Sequence, residues 1–288
     1  MGNLILGLVP ALGWGIQAIV MQKIGGRFTN KVMGMVTGSV IFALVIFVFH
    51  RPTAITSQLV IGSVLSGIFW SIGQILQVRS FDVLGVSAAM PISTGEQLIG
   101  TILFGVFYFR EWTRTSQYYF GVTAVFLIIV GVIIISIRSS NTEGQTVHST
   151  IGGLIMLTVS SLGLIGYAVI PRIFKLNGWD MLLPQSISMW IVMAFIVSRV
   201  KNNQMWYLKS WQNILTGVCF AIANLTILLS NEYNGIAIGY TLSQLNVVVA
   251  TLGGIFILNE TNSIAKKRRI IIGLTLIVTG AILIGLTK

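Results

Sequence analysis

The chain has 288 residues, 55% of them hydrophobic and only 9% charged, with a mean hydropathy of +0.89. A soluble domain carries about 25% charged residues, so the composition excludes a soluble globular protein and predicts an all-α integral membrane protein. The net charge of +11 is no nucleic-acid footprint, because nearly all 18 Lys and Arg fall between apolar runs, and no nucleic-acid partner is expected.

At ~20 residues per span, the sequence accommodates ten transmembrane helices with short connections. They are predicted near residues 3–22, 32–49, 58–78, 85–108, 116–137, 151–170, 181–198, 211–230, 235–258 and 269–287. The first span carries Trp14 and Gln17, and the third carries Trp70, Gln74 and Gln77. The middle of the fourth holds Pro91, Ser93, Thr94, Gly95, Glu96 and Gln97. Lipid does not hydrate such groups, so they must face protein or a water-filled cavity. Ser93, Gln97 and Thr101 follow i, i+4, i+8 and share one helix face. A polar linker over residues 139–150 joins two halves, residues 1–138 and 151–288. Tyr167 lies in the sixth span. The eighth holds Asn224 and the lone Cys219, which has no partner for an intrachain disulfide. In the ninth span Ser243 and Asn246 share a face with Gln244 beside them, and Tyr240 is one turn earlier. Pro91, Gly95, Gly253 and Gly254 are expected to let the central helices bend.

Of the 18 basic residues, 12 fall in one alternate set of connections and 6 in the other, termini included. The run Lys266–Arg269 belongs to the richer set and reads as a loop anchor. The positive-inside rule then places that set in the cytoplasm and both termini outside, in a multi-pass protein of the plasma membrane with the lipid bilayer as its partner.

The two halves match at an offset of 150 residues. Val-Pro-Ala-Leu-Gly at 9–13 faces Val-Ser-Ser-Leu-Gly at 159–163, Gly67 faces Gly217, Gln74 faces Asn224, Ser93 faces Ser243 and Thr101 faces Thr251. After a slip of one residue, 104–111 faces 253–260, so that Glu111 matches Glu260. Five spans per half is an odd number, so the second half must cross the membrane inverted. Inverted repeats are a common build of secondary transporters, with the substrate near the midplane between the halves.

The polar residues in the spans suit a neutral polyol. Carboxamides both donate and accept, as vicinal sugar hydroxyls do, and aromatic faces cover the C–H surface of a ring. Candidate substrate ligands are Trp14, Gln17, Trp70, Gln74, Ser93, Gln97, Asn224, Gln244 and Asn246. The alternative for each amide is a simple interhelical hydrogen bond, at ~0.6 kcal/mol. Glu96 is the one carboxylate placed deep in a span, where a charge costs ~2.5–3.5 kcal/mol. It is the candidate proton carrier for symport, with a structural hydrogen bond to a neighbouring helix as the other reading. Glu111 and Glu260 read as helix-end or gate residues. The sequence holds no His-Glu-x-x-His, Gly-x-Ser-x-Gly, P-loop or cysteine cluster, so neither an enzyme nor a cofactor or metal site is expected.

Several of these segments resemble the bacterial glucose/ribose uptake family of the drug/metabolite transporter superfamily. They are Pro-Ala-Leu-Gly-Trp-Gly at 10–15, Phe-Trp-Ser-Ile-Gly-Gln at 69–74, Gly-Val-Ser-Ala-Ala-Met-Pro-Ile-Ser-Thr-Gly at 85–95, Gln-Leu-Ile-Gly at 97–100 and Thr-Leu-Gly-Gly-Ile-Phe-Ile-Leu at 251–258. The resemblance spans essentially the whole chain. It implies ten helices in two inverted five-helix repeats and import of a monosaccharide, glucose or ribose, with protons. The family often has an apolar residue where this chain has Glu96, so the resemblance gives Glu96 no role. The alternative on the same scaffold is an exporter of drugs or metabolites.

Overall fold

A computed structural model describes residues 2–52, 54–84, 86–136, 147–203, 205–257 and 264–287. Among these there are helices and turns but no strand, as expected where lipid forces every backbone group to bond within its own segment. In chain order the helices are α1 (Gly2–Ile24), α2 (Phe28–Phe49), α3 (Ser57–Leu84), α4 (Val86–Leu103), α5 (Thr115–Ser136), α6 (Val147–Ile173) and α7 (Gly178–Ser198). The short α8 (Leu208–Gln212) leads into α9 (Ile214–Asn234), followed by α10 (Ile236–Ser243), α11 (Asn246–Phe256) and α12 (Ile264–Gly285). Among the described residues, eight segments are long and apolar enough to cross a membrane, α8 and α9 counting as one. The chain is a multi-pass membrane protein.

Three features were not expected from the sequence. Residues 147–150, the end of the predicted linker, belong to α6, and 139–146 lie outside the described residues. The fourth span is α4 followed by a five-residue π turn, Phe104–Tyr108, closed by the Phe109 amide on the Phe104 carbonyl. The ninth span, expected as one segment, is two helices, broken at Gln244 and Leu245. Two side-chain hydroxyls bond to backbone carbonyls just before the break. Thr241 Oγ1 donates to the Ala237 carbonyl (2.6 Å) and Ser243 Oγ to the Tyr240 carbonyl (2.6 Å). Such local bonds compete with the helical ladder, and the chain here turns to i→i−3 bonds from Gln244, Leu245, Val247 and Val248. By contrast α4 runs unbroken through positions 91 and 95.

Helix α3 packs against α6 and α7, while α1 packs against α9 and α11, and α2 against α7 and α9. Helix α5 pairs with α12, and α4 with α6. The closest approaches use small residues, as membrane helices favour. Gly38 of α2 meets Gly217 of α9 backbone to backbone, so no side chain fits there. One end of the bundle joins the α1–α2 turn to α8 and α9: Lys209 Nζ donates to the Ile24 carbonyl (2.7 Å) and Asn213 Nδ2 to the Gly25 carbonyl (3.2 Å). The opposite end carries both termini, with Gly7 packed on Ser230 and Gln117 Nε2 bonded to the Thr287 carbonyl (2.7 Å).

Candidate substrate site

Two hydrogen-bonded networks lie in the interior. The first joins α3, α4, α6 and α10. Gln97 Nε2 donates to Ser93 Oγ (2.8 Å), which also receives Gln77 Nε2 (2.9 Å) and lies 3.3 Å from Ser161 Oγ. The other end of the same amide, Gln97 Oε1, accepts the Tyr240 hydroxyl at 2.5 Å. The i, i+4 spacing of Ser93 and Gln97 on α4 makes the first bond local, and α10 brings Tyr240 across to complete it. Ser93, Gln97 and Tyr240 are all buried.

The second network joins α3, α6, α7 and α9. Tyr167 donates its hydroxyl to Asn224 Oδ1 (2.6 Å), Asn224 Nδ2 donates to Gln185 Oε1 (2.8 Å), and Gln185 Nε2 donates to Ser66 Oγ (2.7 Å). Ser66 Oγ in turn donates to the Tyr167 carbonyl (2.9 Å), closing the loop. Tyr167 and Tyr240 belong to one apolar core with Trp70, Phe220 and Trp14, so the two networks flank a common aromatic centre. Trp70 lies 4.9 Å from the Phe220 ring, and the Trp14 indole N–H is buried with no acceptor.

The other candidates are less integrated. Gln17 Nε2 reaches Met35 Sδ of α2 at 3.1 Å. Gln74 is half-buried on α3, Gln244 is buried at the end of α10, and Asn246 opens α11, half-buried. Among the described residues no hydrogen bond ties Gln74 or Asn246 to either network. Glu96 turns from the networks toward α6, where Thr158 donates to its Oε1 (2.8 Å); its Oε2 is buried, with no donor among the described residues.

Sequence reasoning did not single out Ser66, Ser161 or Gln185. Gln185 was visible as an amide in mid-span, next to Pro184. The two serines carry no such signal, since isolated small polar residues are common between membrane helices.

The expected gate residue Glu111 has a well-defined setting. Its carboxylate accepts the backbone N–H groups of Ile236 (2.7 Å) and Ala237 (2.9 Å), the first turn of α10, and Arg172 Nη2 of α6 at 3.2 Å. A carboxylate there satisfies two orphan donors and complements the helix dipole. Arg172 also lies 5.3 Å from the Phe109 ring centroid. Glu260 lies outside the described residues. The carboxylate fits only because Gly235 precedes α10: a Cβ on Gly235 would lie 2.6 Å from Glu111 Cδ, and its φ of +82° disfavours any L side chain. Gly235→Ala will therefore destabilise the purified protein by about 2 kcal/mol or more, read as a lowered melting midpoint. An unchanged midpoint would show that the α9–α10 turn relaxes freely.

No cluster of metal-ligating side chains occurs among the described residues. The profile of the family described as sugar transport protein matches residues 5–287. A putative sugar uptake protein of Listeria monocytogenes is 42% identical over 289 residues, covering 99% of each chain. The glucose uptake protein GlcU of Bacillus subtilis is 38% identical over 287 residues, again 99% of each chain. One crystal structure of a protein only 14% identical matches with a TM-score of 0.78, over 99% of this chain and 96% of its own, a likeness of fold alone. With a family profile and relatives matching end to end, the chain belongs to the sugar transport protein family.

Proposed function

We propose that this protein imports a monosaccharide, glucose or ribose, across the plasma membrane by alternating access, coupled to protons. The observation that carries the reading is the Gln97 bridge between Ser93 of α4 and Tyr240 of α10, beside a broken helix. Discontinuous helices at a repeat interface are where secondary transporters hold their substrates. In the two networks the amides and hydroxyls satisfy one another. Sugar hydroxyls offer the same donors and acceptors, so the exchange leaves no buried group unpaired. The names of the curated relatives, sugar uptake and glucose uptake proteins, point to the same substrate class.

The architecture we infer is ten spans in two inverted five-helix repeats, α4 and the α10–α11 pair completing the set. Reciprocal contacts support it. Gly13 packs on Ala223 and the Cys219 carbonyl; 150 residues further on, Gly163 packs on Gly73 and the Phe69 carbonyl. Gly217 meets Gly38 and the Met35 carbonyl, and its counterpart Gly67 meets Ser188 and the Gln185 carbonyl. Contacts that return under one offset are what a two-fold axis in the membrane plane generates. The charge bias puts the end bearing both termini outside the cell.

Uptake of labelled glucose, ribose and rhamnose into proteoliposomes, with and without an imposed inward proton gradient, tests the proposal. Accumulation or exchange of glucose or ribose is expected, and none for any sugar overturns it. Glu96 is the candidate proton carrier, with one oxygen held by Thr158 and the other unpartnered. Glu96→Gln is expected to remove the stimulation by the gradient while sparing sugar exchange. Unchanged stimulation assigns Glu96 to helix packing.

A further inference from the structure

A cleft of about 210 Å3 opens at the end of the bundle that carries the termini, between α6, the start of α7 and the end of α9. Four polar side chains line it, Arg172, Lys175, Asn231 and Glu232, over apolar walls that include Ala168 and Leu228. Two of these side chains keep a polar atom without a partner among the described residues. Asn231 is 4% exposed, and its Oδ1, unpartnered, faces Gly239 of α10 behind the cleft wall. Arg172 has its Nη2 on Glu111 but its Nε buried and unpaired. Lys175 makes no ion pair among the described residues, and Glu232 has only a long bond from Asn177 Nδ2, at 3.5 Å.

The chemistry of this set is mixed. Arg172 and Lys175 donate, Glu232 accepts, and Asn231 does both, which matches hydroxyls that donate and accept at once. An anion would face the Glu232 carboxylate and a cation the basic groups, whereas a neutral polyol suits a lining of both signs. The location also fits. Asn224, Leu228 and Asn231 share a face of α9, and seven residues at 1.5 Å rise put about 10 Å between the cleft and the Asn224 network. Ala168, in the cleft wall, directly follows Tyr167 of that network.

We infer that this cleft is a second, peripheral site that captures a neutral hydroxylated monosaccharide at the mouth of the transport path. The inference rests on the sugar-uptake reading for its ligand but not for its test. In the full-length protein carrying Cys219→Ser and Leu176→Cys, reconstituted in nanodiscs, the rate of maleimide labelling at position 176, in the cleft lining, reports occupancy. Saturating D-glucose or D-ribose is expected to slow labelling at least fivefold. The protection is expected to persist when Gln97→Ala is added and to disappear with Glu232→Gln. Labelling unaffected by either sugar overturns the site. Protection lost with Gln97→Ala also overturns it, since the effect then originates in the interior. Protection by gluconate alone overturns the assignment to a neutral sugar. Protection in a protein that transports no sugar would leave the cleft standing and remove the transport reading; transport without protection does the reverse.

Discussion

Gln97→Ala is expected to lower kcat/KM for sugar uptake by about 100-fold. The substitution removes two partners at once: Ser93 Oγ loses the amide N–H and the Tyr240 hydroxyl loses its acceptor. A buried polar group left unsatisfied costs about 1–3 kcal/mol, and a site built to bond hydroxyls discriminates steeply against missing partners. The orphaned Tyr240 hydroxyl, together with the lost bond to Ser93, which keeps its bond from Gln77, gives roughly 2.8 kcal/mol at 1.4 kcal/mol per tenfold. Gln58→Ala, at the exposed start of α3, is the control and leaves uptake unchanged. Gln97→Glu keeps an acceptor for Tyr240 but loses the donor to Ser93, so it falls between. Tyr240→Phe combined with Gln97→Ala should cost less than the sum of the two, because the pair shares one bond. Initial rates in proteoliposomes at equal protein density give all five values, Tyr240→Phe alone included. Equal effects of Gln97→Ala and Gln58→Ala would move the sugar site away from α4.

The second large effect is expected at Glu111. Glu111→Ala leaves the Ile236 and Ala237 amides without an acceptor and Arg172 without its counter-charge. The pair is not fully buried, with side-chain exposures of 31% for Arg172 and 12% for Glu111, so the cost falls below that of a fully buried pair. About 2 kcal/mol remains, mostly from the orphaned helix N-terminus. At roughly 2–4 °C per kcal/mol for a chain of this size, the melting midpoint should fall by about 5 °C. Glu111→Gln keeps one oxygen acceptor for the helix end and should recover about half of that loss. Its uptake should also exceed that of Glu111→Ala, because α10 carries Tyr240 one turn beyond the capped end. Identical melting for wild type and Glu111→Ala would mean that water replaces the carboxylate without penalty.

The elements that were legible in the sequence are those set by local composition. A span needs a long apolar run, and the runs around α1, α2, α5 and α7 have no competing reading. Ser93 and Gln97 stood out for the same reason, as polar residues one turn apart in an apolar stretch. The break in the ninth span was not anticipated, because the sequence marks 244–245 with neither glycine nor proline. The helix yields there, just past the hydroxyls of Thr241 and Ser243 that occupy backbone carbonyls. Gly253, by contrast, is packed against Ile19. Gln185 and Ser66 escaped notice because their significance lies in a loop of bonds across four helices, which no spacing within one helix encodes. Glu111 was visible as a helix-end acid matched across the halves. Its partner, the start of α10, became evident only once the chain was folded.

Helix α10 spans only Ile236–Ser243, too short to flex along its own length. It is held at its first turn by Glu111 and in its second by Gln97, with a loosened backbone behind it. A rigid segment fixed at two points moves as a lever about the third. Thermodynamic linkage then binds the two contacts together: if opening at Glu111 changes sugar affinity at Gln97 by some factor, sugar must bias that opening by the same factor. The gate and the substrate site would thus share a single free energy, and no separate signal need pass between them.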